Sequence, residues 1–579
     1  MILKTKFVPV CMDDVKLNGW ESIDIILITG DAYIDHSAFG VPLLARYLID
    51  KGFKVGIISQ PQKDEDYQVF GRPNLFFGIS SGNVDSMVNH YTAQRKIRSD
   101  DDYSANNKTG LRPDRAIIIY TQKIKQFYKD VVTVIGGLEA SLRRIPHYDF
   151  MTDKIRNSIL IDSKASILVY GNGERQILEI ANRLKNDETL MDIKGTCIYA
   201  KDKPDDALNL LDYKNVHLSE NFYQMTKLFN ETYSNKTLYY EYNSRYLIHY
   251  LPAEPLSVAE LDAVYNLPFS REPHSIYKGR FIKAYEQIKF SILSHRGCYG
   301  GCSFCVIGLH QGKCIQSRSR TSIINEIKEL SNKSYFKGTI TDIAGPTANM
   351  YGTFCKLNIA PSCTKQSCLC PEICPNLVYN EKAYLSVLKS ALSNTNIKNV
   401  FVSSGVRFDL ALLQPDFSNE LSFFYTSGAI KLAPEHVSET VLNRMNKPPI
   451  EKFLKFSDAF YENSKRIEKK QLINLYLIVG FPETTLEEAL ELAIFLKKNN
   501  LRVEQVQEFT PTPLSIATMS YYTGKDYKTG EQIHVPKGRE LKLQKALSQW
   551  FVKSNKKLVI EALRLLNRMD LLNYFYELP

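Results

Sequence analysis

Cys298-Tyr299-Gly300-Gly301-Cys302-Ser303-Phe304-Cys305 is the stretch on which the reading of this chain turns. Its cysteines stand at C-x3-C-x2-C, just past the apolar run Phe290-Ser291-Ile292-Leu293, so three thiols share one tight, glycine-bearing loop at the end of a predicted strand. Zinc sites come as two ligand pairs with a spacer between them, which a lone triplet fits poorly. A four-iron cube takes four corner ligands, usually four cysteines. Three close thiols without an obvious nearby fourth leave one iron open to a small molecule.

The C-x3-C-x2-C loop resembles that of the radical S-adenosylmethionine (radical SAM) superfamily. The resemblance implies a [4Fe-4S] cluster on Cys298, Cys302 and Cys305, with the amino and carboxylate groups of SAM on the fourth iron. An electron from the cluster then cleaves SAM to a 5′-deoxyadenosyl radical. The cofactor carries the difficult chemistry and the protein positions and shields it. Phe304 stands where the family carries an aromatic residue near the adenine.

Length and composition bound the rest. The 579 residues are too many for one ordinary domain, and 44% apolar with 23% charged residues is the balance of a globular protein. No run approaches the roughly 18 apolar residues of a membrane span. The start, Met1-Ile2-Leu3-Lys4-Thr5-Lys6, lacks a signal peptide's apolar core, so a cytoplasmic protein is expected. Of the 11 cysteines nine fall between 298 and 374, a clustering that suits metal rather than a disulfide framework. Cys11 and Cys197 are solitary and read as small buried hydrophobes. The net charge of +10 permits an anionic substrate or nucleic acid without requiring one.

From Ile23 to about Leu184, short apolar runs alternate with helical patterns, predicting a doubly wound parallel sheet. The loops after its strands form the ligand crevice: Gly30-Asp31, Gly136-Gly137-Leu138-Glu139-Ala140-Ser141 and Gly171-Asn172-Gly173-Glu174. The segment resembles the cobalamin-binding domain that precedes the barrel in many radical SAM proteins. Asp35-His36-Ser37-Ala38-Phe39-Gly40 departs from that domain's Asp-x-His-x-x-Gly signature, which puts cobalamin in doubt and favours a loop histidine or substrate contact for His36. Arg143, Arg144, His147 and Tyr148 read as an anion site or as a solvated basic helix face. The polar, Tyr- and Asn-rich stretch after it reads as a connector with a few helices.

From Phe290, runs at 289–294, 339–344, 399–404, 429–433, 472–479 and 503–509, separated by helical patterns, predict an open (β/α)6 barrel. Parallel barrels gather their chemistry at strand C-terminal ends. There lie Gly345 and Pro346, Arg407 with Asp409, Lys431, Glu435 and His436, and Gly480, Pro482 and Glu483. By the resemblance, Gly345-Pro346 occupies the turn that holds the methionine amino group, and Gly480, Pro482 and Glu483 an adenine-contacting turn. Lys431, Glu435, His436 and Arg407 are candidates for substrate contact or proton transfer. Thr484 with Glu487 reads as a capping box for the helix that follows. Five further thiols, Cys355, Cys363, Cys368, Cys370 and Cys374, suggest a second cluster or a zinc ion; Cys314 reads as unliganded. A basic helical stripe with Leu543, Leu547 and Trp550 closes the chain.

The domains expected are a cobalamin-binding-type domain over 1–190, a connector over 191–283, a radical SAM barrel over 284–515 with its cysteine-rich insertion at 350–376, and a loop and helical extension over 516–579. Gly136 to Arg144, the cysteine triplet and insertion, Lys431 to His436 and His534-Val535-Pro536-Lys537-Gly538 together resemble the YgiQ family of radical SAM proteins, whose substrate the resemblance leaves open. The function expected is reductive cleavage of SAM to start radical chemistry on an unknown substrate, with flavodoxin or ferredoxin as electron donor. The alternatives are an RNA- or protein-modifying, methylthiotransferase-like enzyme with an auxiliary cluster, and a non-catalytic iron-sulfur or zinc scaffold.

Overall fold

Strand β1 (Ile25–Thr29) has all five residues buried, as a strand covered on both faces must. In the computed structural model, which describes residues 3–576, it is flanked in parallel by β2 (Val55–Ser59) and β3 (Phe76–Ser80). Next come β4 (Val132–Gly136) and β5 (Ile167–Val169), also parallel. Besides the two-residue strand Glu272–Pro273, the span 191–283, expected as a connector, carries four strands: β6 (Thr196–Ala200), β7 (Leu208–Asp212), β8 (Leu238–Tyr242) and β9 (Arg245–His249). They extend the sheet to nine strands in the order β7-β8-β9-β6-β5-β4-β3-β1-β2, with β6 antiparallel to β5. The β8–β9 turn passes through Asn243 and Ser244, both left-handed (φ 49° and 58°), the geometry of a tight hairpin.

The barrel follows. Parallel ladders join β10 (Ser291–Leu293) to β12 (Asp342–Ala344), β11 (Thr339–Ile340) to β13 (Asn399–Val400), and β14 (Ala429–Glu435) to β15 (Leu472–Val479) to β16 (Val506–Glu508). Expected strand two is thus split into β11 and β12, and no ladder joins β13 to β14. That gap is spanned by hydrogen bonds from Val402 N to Tyr425 O (2.9 Å) and Val406 N to Lys431 O (3.3 Å).

Alternation sorts the strand residues. Ile343, Ile430 and Leu432 are buried with Ile323, Leu388, Phe453 and Phe456 of the surrounding helices. Asp342, Lys431 and Tyr476 occupy the alternate positions and so face the lumen. Helices Arg539–Ser548 and Lys556–Leu565 pack Leu543, Leu547 and Trp550 onto the helix Leu486–Lys498. That helix is capped by Thr485 with Glu488, one residue beyond the expected Thr484 and Glu487. No helix among the described residues is long and apolar enough to cross a membrane.

Candidate functional site

The cysteine triplet sits directly after β10, where Gly297 (φ 89°) turns the chain. The loop is pinned from several elements. Cys298 N donates to Gly312 O (3.1 Å), Ser303 N to Met445 O (3.0 Å) and Ala517 N to Ser303 O (3.0 Å). Asn446 Nδ2 donates to Gly301 O (2.8 Å), and Ser367 Oγ to Gly300 O (2.9 Å). Gly301 has φ +63°, and a Cβ there would lie 2.1 Å from Gln366 O, so only glycine fits.

Burial pushes the Cys305 thiol up to about 12 and the Cys298 thiol above its usual range, and each of the three thiols lies within electrostatic reach of another. Thiolates in such a place form against a bound cation, which is what a cluster supplies. Arg407 Nη1 stands 3.5 Å from Cys302 Sγ and Nη2 3.9 Å from Cys370 Sγ. Its orientation is fixed by the bidentate pair with Asp409, Nε at 2.9 Å and Nη2 at 2.7 Å. Burial would raise Asp409, yet the guanidinium outweighs it and holds the carboxylate below its usual range. A guanidinium clamped beside a cluster sulfur is the kind of outer hydrogen-bond donor that tunes such a group. The donor set therefore fits a [4Fe-4S] cluster with three protein ligands.

Other sequence candidates divide. Gly345 lies against β10, where a Cβ would meet His295 O at 2.4 Å; Pro346 follows it, and Thr347 Oγ1 is 3.8 Å from Cys298 Sγ. Phe304 packs edge-on to Phe481 (6.3 Å), which ties the triplet to the end of β15. Glu435 is buried, with its carboxyl 3.9 Å from Lys447 Nζ; burial raises it and Lys447 offsets part of the rise. Lys431 lies farther down the lumen, within reach of Asp342, whose carboxylate accepts from Ser403 N (2.9 Å) and the Ser404 hydroxyl.

His436 is fully buried. Its Nδ1 accepts from Ser438 N (3.1 Å), and burial lowers it to about 3, so it is a neutral core histidine without a proton to exchange near neutrality. Gly480 and Glu483 face the C-terminal segment: Gly480 N donates to Gln544 Oε1 (2.9 Å) and Glu483 N to His534 O (2.7 Å). Pro482 lines a cleft beside the triplet loop with Ser303, Phe481, Arg444 and Asp526. Lys447, Asp342 and Tyr476 were not singled out in the sequence. Strand alternation would have flagged the last two.

Arg143 and Arg144 are neither an anion site nor a solvated face. Arg143 pairs with Asp85. Arg144 is fully buried, donates to His249 Nε2 (3.0 Å) and lies over Tyr170 (4.7 Å) and Phe229 (5.1 Å). It also donates to Ser141 O. Ser141 Oγ in turn contacts His310 Nδ1 (3.0 Å), on the short helix Ile307–Gln311 that begins two residues after Cys305. Beside it, Arg296 pairs with Glu174 (2.7 Å) in a buried bridge. Sheet and barrel thus meet beside the triplet, around a cleft of about 470 Å³ lined by Ser80, Gly137, Gly171, Leu293 and Val306. His36 does not line that cleft: it is buried behind it, its Nδ1 accepting from Ala38 N (3.0 Å).

Residues 7–291 match a family model described as Radical SAM N-terminal, and residues 504–575 one described as Domain of unknown function (DUF3362). A UPF0313 protein of Geobacter sulfurreducens is 45% identical over 576 residues, covering 97% of this chain and 95% of that one. UPF0313 proteins of Methanocella arvoryzae (43%; 97% and 96%) and Thermotoga neapolitana (44%; 94% and 98%) are similarly close. Among solved structures, the radical S-adenosylmethionine methyltransferase TsrM from Kitasatospora setae, with cobalamin and a [4Fe-4S] cluster bound, has 12% identity and a TM-score of 0.49, covering 94% of this chain and 100% of that one. The cobalamin-dependent S-adenosylmethionine radical enzyme OxsB has 11% identity and a TM-score of 0.47, covering 90% and 58%. Kinship at this identity over nearly the whole of both chains places the protein in the UPF0313 family, with residues 7–291 matching the Radical SAM N-terminal model.

Proposed function

We propose that the protein is an enzyme that cleaves SAM reductively and starts radical chemistry on a substrate held in the barrel lumen. The observation that carries this is the cysteine triplet on a hydrogen-bonded loop at the C-terminal mouth of a parallel partial barrel. Cys298, Cys302 and Cys305 would hold a [4Fe-4S] cluster, which would supply the electron for reductive cleavage of SAM. The chain's own residues orient and shield. Arg407, clamped by Asp409, donates to the Cys302 sulfur. Phe304 and Phe481 form an apolar wall beside the loop. Asp342, Lys431 and Tyr476 supply a polar lumen able to orient a substrate, and the sheet covers the triplet side of the mouth through Arg296–Glu174 and His310–Ser141. A cover is needed because a primary radical reacts with whatever it meets. The electron comes from a flavodoxin- or ferredoxin-type donor.

The cleft between sheet and barrel offers room for part of the substrate, and His36 is not among its lining residues. The test is anaerobic reconstitution of wild type and Cys302→Ala with a strong reductant. The wild type forms 5′-deoxyadenosine and the variant does not; equal formation by both rejects the assignment.

A further inference from the structure

The five thiols of the insertion do not form one group. Cys370 faces the triplet: Arg407 Nη2 lies 3.9 Å from its sulfur, and Asp409 and Cys302 are its other charged neighbours. The remaining four gather around Cys368, with Cys314 outside the insertion within electrostatic reach of Cys355. Cys368 lies within electrostatic reach of Cys374, Cys363 and Cys355. The backbone brings them together: Cys374 N donates to Cys368 O (2.9 Å), Leu377 N donates to Cys374 O (2.9 Å), and Leu377 is the antiparallel partner of Cys355.

Two lysines surround this tetrad. Lys365 Nζ is 3.8 Å from Cys374 Sγ. Lys313 Nζ donates to the carbonyls of Cys363 (3.3 Å) and Lys365 (2.8 Å). Cations at this range offset the negative charge that four thiolates would bring. On the triplet side, Cys368 and Cys374 pack against Tyr299, Met350, Leu369 and Leu377, an apolar wall that limits water and oxidants.

The segment also has little else to hold it. Between Cys355 and Leu377 its regular structure is a two-residue strand pair, 354–355 with 377–378. A loop of this length with so small a core is ordinarily stapled by metal or disulfide, and all of these cysteines are unpaired.

We infer that Cys355, Cys363, Cys368 and Cys374 ligate a second iron-sulfur cluster, and that Cys370 is not among its ligands. A cluster suits the spacing better than a zinc ion. Among the described residues no three Cys, His, Asp or Glu side chains close on a single-ion position, whereas the ligands of a cluster attach at separate iron atoms.

The inference goes beyond the SAM chemistry proposed above, and its test separates the two. The full chain carrying Cys298→Ala, Cys302→Ala and Cys305→Ala is reconstituted anaerobically, and iron, sulfide and zinc are quantified. The expected result is one cluster per chain, about four irons, retained when Cys370→Ala is added and lost when Cys368→Ala and Cys374→Ala are added. A triple variant with zinc alone, or with no metal, overturns the inference, as does loss of iron on adding Cys370→Ala. Mössbauer spectroscopy of the unsubstituted protein reads the same question without a folding risk. Two clusters are expected, of which SAM perturbs one; a single cluster's iron overturns the inference whether or not deoxyadenosine is formed.

Discussion

Two cysteine-bearing segments touch each other in this protein and are built in opposite ways. The loop 298–305 is held by hydrogen bonds with Gly312, Met445, Asn446 and Ala517, outside the insertion, so the fold sets its shape. The insertion 355–374 is attached to that loop by Cys368 N to Tyr299 O (3.1 Å) and Ser367 Oγ to Gly300 O, but has almost no ladder of its own. The difference teaches that thiol count does not describe a metal site. One segment presents donors on a finished scaffold; the other has donors in place of a scaffold, so that metal bound there, as inferred above, would fold it.

Chelation tests that contrast most severely. Anaerobic removal of metal should abolish amide-exchange protection across 355–374 while leaving protection around 298–305 largely intact, read by hydrogen-deuterium exchange. Equal loss in both segments breaks the comparison. Next in size is Arg407→Met, which strands the buried Asp409 carboxylate at a cost of about 3–5 kcal/mol and removes the donor to Cys302. Thermal unfolding should register the cost. A redox titration should show the triplet cluster's potential falling while the insertion cluster's moves less, and Arg407→Lys should restore part of both effects. Smaller still is Gly301→Ala, which places a Cβ against Gln366 O at a left-handed position, for roughly 2–4 kcal/mol. It should loosen the insertion from the loop, lowering insertion protection more than triplet iron content; the reverse ranking would mean that the insertion supports the loop.

What was legible in the sequence follows the range of the interactions. The triplet was readable because its ligands are neighbours in the chain, and the barrel because runs such as Ile430 and Leu432 mark their strands. The strands in 196–249 were missed because Tyr239, Tyr240, Tyr242 and Tyr246 gave a polar, aromatic pattern around an Asn-Ser turn in place of Asn-Gly. Aromatics are nonetheless good strand formers. Arg144 read as half of a surface pair because the rings that enclose it, Tyr170, Phe229 and Tyr233, are distant in sequence. Thr485 against Thr484 is the ordinary one-residue uncertainty of a helix start. Cys370 could not be told from its four companions until Arg407, 37 positions on, was seen beside it.

The short helix after Cys305 has a practical consequence for anyone dissecting this molecule. It leans on Ser141 through His310, while buried Arg296, two residues before Cys298, has its counter-ion on Glu174. A fragment starting at the expected boundary near 284 would expose both attachments and leave a cation without its partner at the root of the iron-binding turn. The two halves are one instrument, to be expressed and assayed as a single piece.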